Sequence, residues 1–148
     1  MIDLVVRPEA AVLGPPAMRR QLVARLCEAL RVLGRSRSQV SLLLTCDEEI
    51  RALNRRYRKL DRATDVLSFH QLDLGGAADP AGDGVFLGDI VISVETARRR
   101  AGGRRLPGEL ARLAIHGLGH LFGHDHHRPG PAEEMRRLEQ KLLRASRG

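Results

Sequence analysis

The chain has 148 residues, a formal net charge of +7 and 43% hydrophobic residues, which bounds it to one globular domain, residues 1–148, and argues against a disordered chain. Two cysteines, Cys27 and Cys46, stand far apart with no CxxC pair, which argues against a thiolate metal site and reads as reduced and cytoplasmic. No apolar run approaches the roughly 20 residues of a membrane span, and the N-terminus MIDLVVRPEA lacks the apolar run of a signal peptide. The basic balance favours a nucleic-acid partner only modestly. Nearly all the cations are arginine, Lys59 and Lys141 being the two lysines, and a coding bias produces the same excess.

Ile2 to Val6 is a β-branched run that predicts a first strand. Pro15 and Pro16 open a helix with Leu22, Leu26, Ala29, Leu30 and Leu33 at helical spacing, stopped by Gly34. Val40 to Thr45 predicts a second strand, and Asp47 is placed to N-cap a helix bearing Ile50, Leu53 and Tyr57. Val66 to Phe69 predicts a third strand. Residues 72–84 are a Gly-, Ala-, Asp- and Pro-rich loop, long enough to be either mobile or functional. A fourth strand lies within Val85 to Ser93, and a helix follows over Val94 to Ala101, broken by Gly102 and Gly103. Pro107 suits the first position of the next helix, and Gly123 its end. Pro129 to Pro131 is a turn, and Ala132 to Arg144 a last amphipathic helix. The fold class expected is α+β: a small, mixed, roughly four-stranded sheet packed with helices, a metal-binding helix at its centre.

Five of the six histidines fall in HGLGHLFGHDHH, residues 116 to 127. On a helix, His116 and His120 share one face with their Cβ atoms about 5–6 Å apart, close enough for one ion. Gly123 permits a turn after which His126 supplies a third ligand. Three imidazoles leave the fourth zinc position open, as a catalytic site requires, and one zinc ion is the expected cofactor. The spacing matches the metzincin pattern H-E-x-x-H-x-x-G-x-x-H except at the glutamate, which is Gly117 here, so peptidase chemistry is disfavoured. A structural zinc with His124 or His127 as fourth ligand is the competing reading. Gly117 and Gly119 each cost about 1 kcal/mol inside a helix, to be explained by close packing, by substrate access or by drift.

Upstream stand LNRRYRKLDRATDVLSFH, residues 53–70, and LGDIVIS, residues 87–93. With HGLGHLFGHDH these blocks resemble the YbeY family of metallo-endoribonucleases. The resemblance implies zinc ligands at His116, His120 and His126 and a functional arginine at Arg58. It also implies single-strand-specific RNA cleavage in maturation of the small-subunit (16S) ribosomal RNA 3′ end, with a part in ribosome quality control. RNA and the ribosome are thus the implied partners, with no membrane. The chain departs from the family pattern at Gly119 (usually Leu), His124 (usually Tyr) and His70 (usually Pro).

A guanidinium at Arg58 suits bidentate phosphate binding and stabilisation of a phosphoryl transition state. Asp65 and Asp89 either orient ligand histidines or serve structural roles, the latter favoured. Asp125 and His124 are candidates to support the metal or carry a proton, Asp125 being equally placed for a turn. The mechanism expected is metal-assisted phosphodiester hydrolysis, with the arginine-rich surface gathering RNA without reading sequence. A metal-dependent peptidase or other hydrolase, and a non-catalytic ribosome assembly factor with a structural zinc, are the alternatives.

Overall fold

The computed structural model describes residues 2–8, 10, 16–70, 86–102, 105–125 and 132–147. The elements run β1 (Ile2–Val6), α1 (Pro16–Val32), β2 (Gln39–Thr45), α2 (Asp47–Arg58), β3 (Val66–His70), β4 (Phe86–Ser93), α3 (Val94–Ala101), α4 (Leu106–Asp125) and α5 (Ala132–Arg147). The strands form one mixed sheet in the order β1-β2-β4-β3. β1 pairs with β2 and β2 with β4 in parallel, while β3 runs antiparallel to β4 along the edge. The expected α+β architecture with four strands is therefore present. The loop expected at 72–84 and the turn at 129–131 lie outside the described residues.

Alternation along the strands decides which helix covers which face. Val40, Leu42 and Leu44 of β2 and Ile90 and Ile92 of β4 point into the main core, against Leu26 and Leu30 of α1 and Leu113, Leu118 and Leu121 of α4. Leu142 brings α5 into the same cluster with none of its surface exposed. The intervening residues Leu67, Phe69 and Val91 face the other way and pack under Ile50 and Leu53 of α2. The central metal helix anticipated from the sequence is α4, which packs on β3 and β4.

Gly88 explains the glycine of the LGDIVIS block. Its φ is +147°, and an added Cβ would stand 2.2 Å from the Phe69 carbonyl oxygen. Only glycine lets β4 approach β3 this closely while adopting that backbone.

Several boundaries differ from expectation, α5 for one running to Arg147 instead of Arg144. Asp47 is the first residue of α2, not its cap; Cys46 holds the cap position without a side-chain hydrogen bond. The Asp47 carboxylate is drawn away by partners distant in sequence, accepting from the Ser93 hydroxyl (2.6 Å), the Thr96 hydroxyl (2.5 Å) and Arg99 Nη2 (2.7 Å). It thereby stitches α2 to the β4–α3 junction. Helix α4 begins at Leu106, one residue before Pro107. It also continues through Gly123 to Asp125, a glycine costing a helix only about 1 kcal/mol.

Burial raises the Asp47 carboxyl, but the bonds from Ser93, Thr96 and Arg99 outweigh it and hold the group below the ordinary carboxylate value of 3.8. A lowered folded value means the stabilisation is complete above the unfolded value and is lost as pH falls through the folded one. Asp47→Ala is expected to cost about 2 kcal/mol at pH 7, since charge-assisted bonds are lost and two hydroxyls are left to repartner. The deficit should shrink below pH 4. Urea unfolding of both chains at pH 7 and pH 3 reads this directly; an equal deficit at both would show that the charge is not what matters.

Candidate metal centre

His116 and His120 emerge from one flank of α4 where Ile115, Leu118 and Leu121 bury the opposite side. Their Nε2 atoms stand 3.0 Å apart and the rings meet edge to face, with centroids 4.5 Å apart. Two nitrogens bound to one zinc at tetrahedral angles stand about 3.3 Å apart, so the pair is within a few tenths of an ångström of a shared-ion geometry. Without an ion, one Nε2 must carry a proton to make a hydrogen bond at this distance. The surrounding protein lowers the His120 pKa first by desolvation and then by the facing His116, against an opposing pull from Glu139. Both effects favour the neutral ring that a metal requires.

The residues present therefore fit a divalent cation at two of the three expected ligands. His126 lies outside the described residues, as do the side chains of His124 and Asp125, whose backbone forms the end of α4. Among the described residues no three metal-type side chains come together.

Glu139 was not singled out by sequence reasoning. Its Oε1 stands 2.5 Å from His116 Nδ1, with 17% of its side chain exposed against 39% for the histidine. It comes from α5, 23 residues further along the chain. In the sequence it is one charge among several on an amphipathic helix, and no local pattern separates it from solvated neighbours.

Gly117 explains the missing glutamate. An added Cβ would stand 2.9 Å from Ile90 Cγ2 and 3.3 Å from Cγ1, so this position of α4 rests on β4. Of the three explanations open for Gly117, close packing is the one observed. A side chain here enters the helix–sheet interface, on a different side of α4 from the histidines.

Arg58 closes α2. Its Nη2 donates to the Ser68 carbonyl oxygen at 2.7 Å, and its guanidinium carbon lies 5.1 Å from the centre of the Phe69 ring. Both contacts fix it to β3, the strand on which α4 also packs. Beside it, α2 leaves part of the sheet uncovered as a groove of about 310 Å³, lined by Arg7, Ser41, Tyr57, Phe69 and Asp89 among others.

The two aspartates of the upstream blocks have other partners than His116 and His120. Asp65 Oδ1 accepts from the Val66 N–H at 2.8 Å and Oδ2 pairs with Arg100 at 2.8 Å, which anchors the start of β3. Asp89 faces the groove on the other side of the sheet from α4; burial raises its carboxyl above the ordinary value, opposed by the Ser41 hydroxyl. His70, at the end of β3, is buried.

The family model described as Endoribonuclease YbeY matches residues 16–147. A protein of that name from Anaeromyxobacter dehalogenans is 48% identical over 128 residues, 85% of this chain and 63% of the relative. The Endoribonuclease YbeY of Thermus thermophilus is 42% identical over 130 residues, 86% of this chain and 88% of its own length. That of Aquifex aeolicus is 41% identical over 130 residues, covering 85% of this chain and 83% of the relative. The chain spans less than two thirds of the length of the Anaeromyxobacter relatives it matches. In fold it is similar to the solution structure of TM1509 from Thermotoga maritima, with a TM-score of 0.67 at 24% identity, covering 99% of this chain and 89% of that one.

Proposed function

The chain belongs to the Endoribonuclease YbeY family, and from that membership we propose that it is a zinc-dependent endoribonuclease that hydrolyses phosphodiester bonds of single-stranded RNA. Its substrate on this reading is the 3′ end region of small-subunit ribosomal RNA in the cytoplasm, with a part in ribosome quality control. The observation that carries the proposal is the His116–His120 pair, whose Nε2 atoms converge at 3.0 Å on one flank of α4.

His116, His120 and His126 would hold the ion. Zinc bound there supplies a Lewis acid for the phosphoryl oxygen and makes water nucleophilic near neutral pH. The remaining work falls to side chains of the chain itself. Arg58, its plane set by Ser68 and Phe69, binds a phosphate oxygen and stabilises charge that grows in the transition state. Tyr57, 41% exposed in the groove beside Arg7, carries Arg56 over its ring and Phe69 against it, and an unstacked base would be received at its remaining exposed surface. A paired base would have no such access, which supports the proposed single-strand preference. His124 and Asp125 are the candidates to carry a proton at the end of α4.

Gly117 against Ile90 weighs against the peptidase alternative, since the place of the missing base is occupied by β4. No helix among the described residues is long and apolar enough to cross a membrane.

The test is incubation of zinc-quantified protein with a single-stranded ribosomal RNA fragment, with and without a chelator. Cleavage that stops on metal removal and returns with zinc supports the proposal, and cleavage indifferent to metal overturns it. Arg58→Ala is expected to lower kcat by about 10²-fold while zinc content stays at the wild-type level. An equal loss of zinc would move Arg58 from phosphate binding to support of the fold.

A further inference from the structure

We propose that Glu139 is a positioning residue for His116, its carboxylate accepting the Nδ1 proton so that the ring presents the lone pair of Nε2 toward the cation. This rests on the metal reading of the His116–His120 pair. The geometry comes from three separate facts. His116 Nδ1 meets Glu139 Oε1 at 2.5 Å, while Nε2 of the same ring faces His120. An imidazole whose Nδ1 carries the proton has its lone pair at Nε2, and a carboxylate accepts but cannot donate, so it selects that tautomer. A carboxylate behind a ligand histidine also holds the ring plane and raises its donor strength.

The third fact is how Glu139 is held. Leu142, wholly buried, and Leu138 and Leu143, partly buried, seat α5 against the core formed with α1 and α4. Glu139 is next to Leu138 and three residues before Leu142, so packing of those leucines sets its position relative to α4. The carboxylate thus reaches His116 from a docked helix and not from a free surface. Arg112, one turn before His116, feels the Glu139 charge, and its own partner is Glu109 at 2.6 Å.

A structural role as an α4–α5 ion pair would predict lost stability and unchanged metal affinity, so the experiment reads ring tautomer and metal affinity as well as folding. In the metal-free wild-type chain above pH 8, nitrogen NMR of the His116 ring should show the Nδ1–H form. In Glu139→Ala and Glu139→Gln the population should shift toward Nε2–H, more completely in alanine because the glutamine oxygen still accepts. By chelator competition, Glu139→Ala should bind Zn²⁺ about 10–100-fold more weakly than wild type, with glutamine between the two. The unfolding midpoint of metal-free Glu139→Gln should stay near wild type, and this variant carries the test if alanine loosens α5. A wild-type ring in the Nε2–H form overturns the proposal without reference to metal. Variants that bind Zn²⁺ as tightly as a Zn²⁺-binding wild type overturn it while leaving the metal reading standing. A wild-type chain that binds no Zn²⁺ overturns the metal reading and the proposal with it.

Discussion

His116→Ala is expected to abolish zinc retention and, with it, cleavage of single-stranded ribosomal RNA. Zinc sites contribute roughly 10–16 kcal/mol of apparent binding free energy, so one of three protein ligands carries on the order of 10³ in affinity. A protein that keeps about one zinc through desalting should therefore keep almost none after the substitution. The fold should survive it. The His116 side chain is 39% exposed on a flank of α4, and alanine is the better helix former. Zinc content by elemental analysis, helix content by circular dichroism and cleavage of a ribosomal RNA fragment separate the outcomes. Loss of zinc and cleavage with the helix signal intact is the expected result. Full nuclease activity in a metal-free His116→Ala chain would sink the proposed mechanism.

Gly117→Glu restores the sequence pattern of a zinc peptidase and is expected to destroy the protein instead of converting it. Alanine at 117 already meets Ile90 Cγ2 at 2.9 Å, and Ile90 is wholly buried. Overpacking of this kind costs about 1–3 kcal/mol, partly offset for alanine by about 1 kcal/mol of helix propensity. Glutamate adds a carboxylate that the α4–sheet interface would have to bury. The sum is about 4 kcal/mol or more, a large share of the roughly 5–15 kcal/mol that holds a domain folded. Urea unfolding should give Gly117→Ala a modest loss and Gly117→Glu a severe one, with no peptide cleavage from either. A folded Gly117→Glu protein that hydrolyses peptides would refute the packing argument.

The elements of this fold are legible in the sequence where their signals are local. β1 and α3 match their expected ranges, β4 lies within Val85 to Ser93, and β2 and β3 are each longer by a residue at one end. Gly34, with φ +72°, follows α1 as its position predicted. The errors occur where a local signal competes with distant packing. Asp47 is a good cap by residue type, yet Ser93, Thr96 and Arg99 claim its carboxylate and leave Cys46 at the cap. Gly123 reads as a helix stop, yet α4 continues two residues beyond it. Asp65 holds the structural role favoured for it, through the Val66 N–H and Arg100; the carboxylate beside His116 is that of Glu139, from an element in which nothing local marked it.

The sequence by itself determined that His116 and His120 share one face of a helix, because an i,i+4 spacing on a 3.6-residue turn permits nothing else. It also determined that the residue between them at position 117 is not an acid, and hence which chemistry the helix does not offer. Only the tertiary structure decided why that position is glycine and which carboxylate backs His116. Those answers depend on how α4 lies on β4 and how α5 docks beside it through Leu138 and Leu142. Contacts between elements far apart in the chain follow from helix docking and sheet order, and neither has a local periodicity from which to be read.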